Sequence, residues 1–468
     1  MRVMKASKEE QDETIHGLHC IGCDGKEDAG TYVFKDIIDK DGEKKIVKAK
    51  EKEHHLTFTI ENGIDSGVYL AHKNLPLKGA TGVVQAQKVM EVLQEYKSED
   101  TLLAVLLDNT AVNTGYKSGI VACLETTLSR KLHLIGCSLH QNELPFRAVF
   151  TTLDGTTKSP SAFSGPLGKR ASQENVHEAP IVKFDLIESE IESLDLTEEV
   201  IKDLSTDQYI MYGYWKIITT GKDLGNITSR KIGPVMHARW LTLATRLLCL
   251  YTRDANPSSV LKDITKYIVQ VYTLTWFLIK RSSSFHMSPS ILFQMVQQIK
   301  KQNNQVIREV CFKNLSKNSY CLLPENFLYS MLMSENLETR ENALRVVKKE
   351  RAAKKKTKRV TNMLDLEVNF NADQWENLIN YKEATEPATT LRFDDREIEE
   401  FLMTGNSLPL PVFPSHAQSV ERAVKLVSEA SVQKYGLEAR HKYILSKIKC
   451  RVLRPAYKTK NQYMFSEW

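Results

Sequence analysis

The 468-residue chain has no apolar stretch approaching the roughly 18 residues that cross a bilayer. The nearest candidate, Tyr267 to Ile279, is broken by Gln270 and fits a buried helix. Residues Met1 to Glu13 have no apolar core, so a signal peptide is not expected. Cysteine is scarce. The eight cysteines, among them Cys123, Cys249 and Cys311 inside apolar patterns, read as reduced core residues and not as a disulfide framework. No internal repeat of fixed period is visible. These absences exclude a membrane-spanning protein, a disulfide-stapled secreted domain and a solenoid, and leave a protein of a reducing compartment, nucleus or cytoplasm. An apolar fraction of 42% and a charged fraction of 26% are those of ordinary globular chains, and the length suffices for two or three cores.

Charge of one sign is also in short supply, with a net value of +6. It is unevenly placed: Lys348 to Arg359 holds eight cations in twelve residues. Lys354, Lys355, Lys356, Lys358 and Arg359 form a run that can bind phosphate backbones or serve as a nuclear signal. The plain alternative is a solvated helix or loop.

What the chain does have is a continuous apolar run, Thr101 to Leu107, that ends on Asp108 and a polar Asn109 to Gly115 turn. A strand apolar on both faces belongs inside a covered sheet, which places Asp108 at a central strand's carboxyl end. Three β-like segments precede it, at Gly17–Asp24, His55–Glu61 and Gly67–His72, followed by a helix at Val83–Tyr96. After it come a helical pattern to Leu128, a fifth strand at Lys131–Cys137 and a helical stretch to Phe150. The order β-β-β-α-β-α-β-α is that of an α/β ribonuclease H-like domain. Thr151 to Pro180 reads as a loop, and residues 188–349 as a large all-α insertion. The expected organisation is a tail (1–16), the first part of the core (17–150), a linker (151–187), the helical insertion (188–349), a basic and polar linker (350–405), a C-terminal helical part completing the core (406–450) and a basic tail (451–468).

In that order of elements the first and fourth strands are neighbours, and Asp24 and Asp108 lie at their ends. Two converging carboxylates can hold Mg²⁺ or Mn²⁺, and a metal pair suits in-line phosphoryl transfer. Either aspartate alone reads equally as a turn or N-cap residue.

Four stretches then carry a resemblance. Leu106-Leu-Asp108-Asn-Thr-Ala-Val-Asn113, Cys137-Ser-Leu-His140-Gln-Asn142-Glu-Leu144, His237-Ala-Arg239-Trp240 and Ser419-Val-Glu421-Arg422 occur in the order found in hobo/Activator-type (hAT) transposases, and together the chain resembles that family from about residue 17 to 450. The resemblance implies a split ribonuclease H-like catalytic domain acting on DNA with Mg²⁺ or Mn²⁺. It makes Asp24, Asp108 and Glu421 both the catalytic acids and the metal ligands, puts Arg239 and Trp240 near the DNA, gives Cys137, His140 and Arg422 the place of motif residues, and implies a homo-oligomer. Zinc is not expected: Cys137-x-x-His140 lacks two further ligands, and alternation along a strand sends Cys20 and Cys23 to opposite faces.

The family usually begins with a zinc-binding DNA-recognition domain, and residues 1–16 leave no room for one, as in a truncated or domesticated copy. The apolar residues after Glu421-Arg422 are thinned to Ala423, Val424 and Leu426. Two other readings stand beside the first: a catalytically silent nuclear adaptor whose helical block binds proteins, and a ribonuclease H-type nuclease acting on RNA.

Overall fold

A computed structural model describes residues 18–318 and 413–452, apart from short stretches at 39, 63–66, 116, 131, 158–161, 190–193, 195, 224–226, 236–238, 282–283 and 434–435. The basic run with Lys354, Lys355, Lys356, Lys358 and Arg359, the linker 350–405 and the tail before Gly17 lie outside the described residues.

In chain order the first part contains β1 (Cys20–Ile38), β2 (Lys44–Ile60), β3 (Val68–Leu75), α1 (Gly82–Glu95), β4 (Ala104–Leu107), the single turn α2 (Ala111–Thr114), α3 (Ile120–Thr127) and β5 (His133–Gly136). A helical series follows: α4 (Ser138–Leu153), α5 (Pro166–Ala171), α6 (Glu198–Asp203), α7 (Thr206–Thr220), α8 (Arg239–Tyr251), α9 (Ser259–Tyr267), a π-helical segment Ile268–Tyr272, α10 (Thr273–Arg281), α11 (Ser288–Lys300) and α12 (Gln305–Asn318). The chain then returns in α13 (Gln418–Gln433) and α14 (Leu437–Val452). Two compact units result, a sheet unit of residues 2–134 with 411–468 and a helical unit of residues 135–410.

The sheet is mixed and five-stranded, in the order β3-β2-β1-β4-β5. β1 pairs antiparallel with β2 and parallel with β4, where Cys20, Ile21 and Gly22 face Ala104, Val105 and Leu106. The expected adjacency of first and fourth strands is therefore present. Every residue of β4 is buried, as its unbroken apolar sequence requires. Thr81 caps α1, accepting from the Val84 amide, and Ala86, Val89, Val92 and Leu93 line its buried stripe. On the face of Gly22 and Asp24, α13 packs over β1, β2 and β3. Ala423, Leu426, Val427 and Ala430 there join Tyr69, Ile444 and Ile448 in one apolar cluster, so small residues after Arg422 seat the helix close to the strands.

The first two strands are far longer than the sequence pattern indicates. Beyond Glu53 they pair only with each other, as a ribbon whose described side chains are largely exposed, including Ile38 at 71% and Ile46 at 72%. Among the described side chains of this ribbon none is buried, so they give no apolar alternation to read, and the pattern reveals only the inner half.

In the helical unit, α7 opens on a capping box between Ser205 and Gln208 and closes on Gly221, whose φ of 74° is the left-handed turn that glycine supplies. The Tyr267–Ile279 stretch is a buried helix, as expected. Among the described residues no helix is long and apolar enough to cross a membrane. Its π segment leaves backbone carbonyls to be satisfied by side chains: Trp215 Nε1 donates to Val269 O at 3.1 Å and Asn142 Nδ2 to Tyr272 O at 2.9 Å. The expected 151–187 linker is not a plain loop, since α4 runs to Leu153 and α5 sits within it. Its backbone is held by Asp154, which accepts from the Leu167 and Gly168 amides. The unit boundary also falls at residue 134 and not at 187, because α4 packs with α10 and α12 of the helical unit.

Candidate carboxylate site

Asp24 lies within β1, two residues beyond Gly22 and on the same face. The parallel register that matches Cys20 to Ala104 and Gly22 to Leu106, carried on by two residues, sets Asp24 beside Asp108 at the end of β4. Glu421 enters from the first turn of α13. Three acids far apart in sequence thus share one electrostatic neighbourhood inside the sheet unit. Burial raises the Asp24 carboxyl to about 6, with repulsion from Asp108 acting in the same sense against the Gly25 amide and Lys26. Burial, then the charge of Asp24 and a smaller contribution from Asp108, raise Glu421 to about 7, while Arg422 pulls it down. The Glu421 side chain is nevertheless open to water.

Asp108 is anchored by its own turn. Its Oδ1 accepts from the Thr110 amide at 3.1 Å, the Thr110 hydroxyl at 2.8 Å and Asn113 Nδ2. The polar sequence after β4 therefore folds back on the acid it follows, and both readings of Asp108, turn residue and site residue, apply to one side chain. Gly119, which follows this turn, approaches it so closely that an added Cβ would lie 2.5 Å from Gly115 O and 2.9 Å from Asn113 O.

Gly22 fixes the distance between β1 and the helix bearing Glu421. A Cβ there would fall 2.5 Å from Val420 Cγ2, 2.7 Å from Thr59 Oγ1 and 3.1 Å from Glu61 Cγ. Only glycine lets α13 seat this near the strand that carries Asp24. Sequence reasoning missed Gly22 and Glu61; the polar alternation His55-x-Thr57-x-Thr59-x-Glu61 was the available signal.

The three carboxylates supply oxygen ligands of the kind a hard divalent cation takes, while Arg422 and Lys26 offset their charge. Among the described residues, however, no three His, Cys, Asp or Glu side chains are gathered tightly enough to enclose an ion. The acids are electrostatic neighbours, not a closed cage.

The remaining expected site residues lie elsewhere. Trp240 is 8% exposed and packs edge-on against Phe146 and Phe150, with Arg147 5.8 Å above its ring. Its ring is core in this arrangement: a helix opening on Arg-Trp turns its tryptophan inward, where an aromatic core receives it. Arg239 begins the same helix. Cys137 is buried at the start of α4, and His140 is half-buried in its first turn. Among the described residues neither belongs to a metal-binding group, and the Cys137–Leu144 stretch serves packing through Asn142. Cys20 and Cys23 are both buried, and burial raises both thiols. Arg422 follows Glu421 directly and is half-buried.

No protein-family model matches the sequence, and no curated protein matches it. The chain superposes on a chain of the Drosophila P element transposase strand transfer complex at a TM-score of 0.26 and 9% identity, over 96% of this chain and 80% of that one. So faint a likeness decides nothing about fold or chemistry here.

Proposed function

We propose that the chain is a transposase-like protein of the hAT type: a ribonuclease H-like sheet unit that cleaves and joins DNA strands with Asp24, Asp108 and Glu421 as its acids, or a domesticated descendant that retains DNA binding. One observation carries this reading. Acids from β1, from the end of β4 and from a helix some 400 residues after β1 repel one another across a single sheet face. Turns and caps use carboxylates singly. Asp24 and Glu421, each raised by burial and by the charge of neighbouring acids, with Asp108 beside them, are the arrangement expected where a cation is to be received.

Bound by these acids, Mg²⁺ or Mn²⁺ would supply Lewis acidity for in-line phosphoryl transfer. The chain's own groups do the rest. Asp108 is held rigid by Thr110 and Asn113, Asp24 is fixed by the sheet, and Glu421 holds or releases a proton near neutral pH beside Arg422. The DNA partner, a homo-oligomeric assembly and a nuclear location belong to the same proposal.

The three-fold use of Asp108 Oδ1 within its own turn favours a second reading, a catalytically silent adaptor in which the sheet is scaffold. Cleavage and strand transfer on a labelled duplex with Mg²⁺ or Mn²⁺ separates the two. Activity lost in each of Asp24→Asn, Asp108→Asn and Glu421→Gln supports the first reading. A folded, DNA-binding but inert native chain supports the adaptor, and preference for an RNA-containing duplex supports a ribonuclease.

A further inference from the structure

Glu61 follows β2 directly and is fully buried. Its Oε1 accepts from the Thr59 hydroxyl at 2.6 Å and from the Ser419 hydroxyl at 2.5 Å, the latter across 358 residues of chain. A carboxylate in a protein core is costly, and an apolar side chain of similar volume usually serves stability as well. What this carboxylate grips is the first turn of α13, where negative charge also complements the helix dipole. The next residue, Val420, rests on Gly22, and Glu421 comes next. Gly22 has room for Val420 and Glu61 together only because it lacks a side chain. The end of β2 is itself pinned to β1, through Glu61 N to Cys20 O at 2.8 Å and through Asn62 Oδ1, which accepts from the His19 and Cys20 amides.

We infer that Glu61 is a positioning residue for the carboxylate site: by accepting the Ser419 hydroxyl it fixes the first turn of α13 on the strand that carries Asp24, and so sets where Glu421 stands. This inference rests on the reading of Asp24, Asp108 and Glu421 as one site, and it assigns work to each member of Ser419-Val420-Glu421-Arg422. Ser419 anchors, Val420 seats, Glu421 serves the site and Arg422 tempers its charge.

The test uses the full chain, with Mn²⁺ binding followed by electron paramagnetic resonance and amide exchange followed across residues 418–424. Ser419→Ala and Glu61→Leu are each expected to weaken Mn²⁺ binding by about ten-fold or more, the effect of removing a group that orients a ligand. Each should also speed exchange in that segment, and the double variant should be no worse than the worse single one, as for two partners in one contact. Glu61→Gln keeps an acceptor in place and is expected to stay within about three-fold of the native affinity. Native-like affinity and exchange in Ser419→Ala, additive losses, or a Glu61→Gln as damaged as Glu61→Leu would each overturn the assignment. Should the native chain bind no Mn²⁺, the metal reading falls, and the exchange data alone decide the anchor: unchanged exchange in Ser419→Ala refutes it, and faster exchange that the double variant does not increase upholds it.

Discussion

The helical unit and the sheet unit bury different kinds of charged group. In the helical unit the buried cation Arg246 donates to four backbone carbonyls, those of Ala171, Gln173, Ile232 and Gly233, and the core includes the aromatic side chains Phe146, Tyr267, Tyr272 and Trp276. In the sheet unit, one face carries Asp28, Glu53, His55, Thr57, His72 and Tyr69, closed over by Arg440 and His441 of α14. There, Asp28 Oδ2, Glu53 Oε2, both ring nitrogens of His55 and His72 Nε2 are buried without a hydrogen-bond partner. The site acids, mutually repelling, lie on the same face. The helical unit also buries hydroxyls without a hydrogen-bond partner, among them Thr242, Thr265 and Thr273; what the sheet unit adds is buried carboxylates, Asp28 and Glu53, each ion-paired through one group and with an oxygen left without a hydrogen bond.

The largest effects separate the units by how damage is repaired. Phe146→Ala is expected to cost about 3–5 kcal/mol in chemical denaturation, with no second substitution to restore it. Arg440→Ala is expected to cost a similar amount, about 3–5 kcal/mol, because it strands Glu53 without its buried partner. Replacing both with apolar residues should recover most of that loss. If the double variant is as unstable as the single one, the sheet face is not governed by charge.

Gly22→Ala comes next, at about 1–3 kcal/mol, since Val420 and Thr59 must give way. Unlike Phe146→Ala, it should also disturb the site, seen as faster amide exchange at residues 418–424. Damage to stability alone would reduce Gly22 to a packing residue.

Acid sensitivity follows from the buried histidines. Burial lowers His55 to about 4, against the pull of Asp28 and Glu53 and helped by Lys26 and Arg440. Burial lowers His72 to about 3, helped by His55, Arg440, His441 and Lys73. Both bind fewer protons folded than unfolded. The stability they confer is complete above the unfolded value near 6.5 and is lost as pH falls toward the folded values. Between pH 6.5 and 5 each is expected to cost on the order of 1–2 kcal/mol, and His72→Phe should flatten the profile of the sheet unit. A profile equally steep in His55→Leu and His72→Phe would mean that other groups titrate.

The smallest effect has the opposite sign. Asp24 is raised to about 6 from 3.8, so the folded chain holds its proton more tightly, and stability falls as pH rises from the unfolded value to about 6 and stays lowered above it. Asp24→Asn is therefore expected to raise the melting temperature at pH 8 and leave it unchanged at pH 4. Destabilisation at pH 8 would make Asp24 a structural residue only.

Legibility in the sequence followed burial. The β4 run and the acid ending it could be read because a strand covered on both faces writes an unbroken apolar string, and the adjacency of β1 and β4 followed from element order. The outer half of the β1–β2 ribbon, whose described side chains are not buried, left no pattern. Glu61 was illegible for a different reason: a polar residue at every second position of β2 looks like a water-facing edge, and the helix that covers it arrives 358 residues later. The packing of Trp240 was not legible, because a motif gives a residue's neighbours in sequence and not the core it turns into.

Whether Asp24, Asp108 and Glu421 act as one cation-receiving site is measured by calorimetric titration of the chain with Mn²⁺ at pH 6, repeated in buffers of different ionisation enthalpy. Expected are saturable binding with release of protons from Asp24 and Glu421, a release reduced in Asp24→Asn and in Glu421→Gln, and binding lost in Asp108→Asn. Absence of binding, or binding without proton release that these substitutions leave untouched, would contradict the single site.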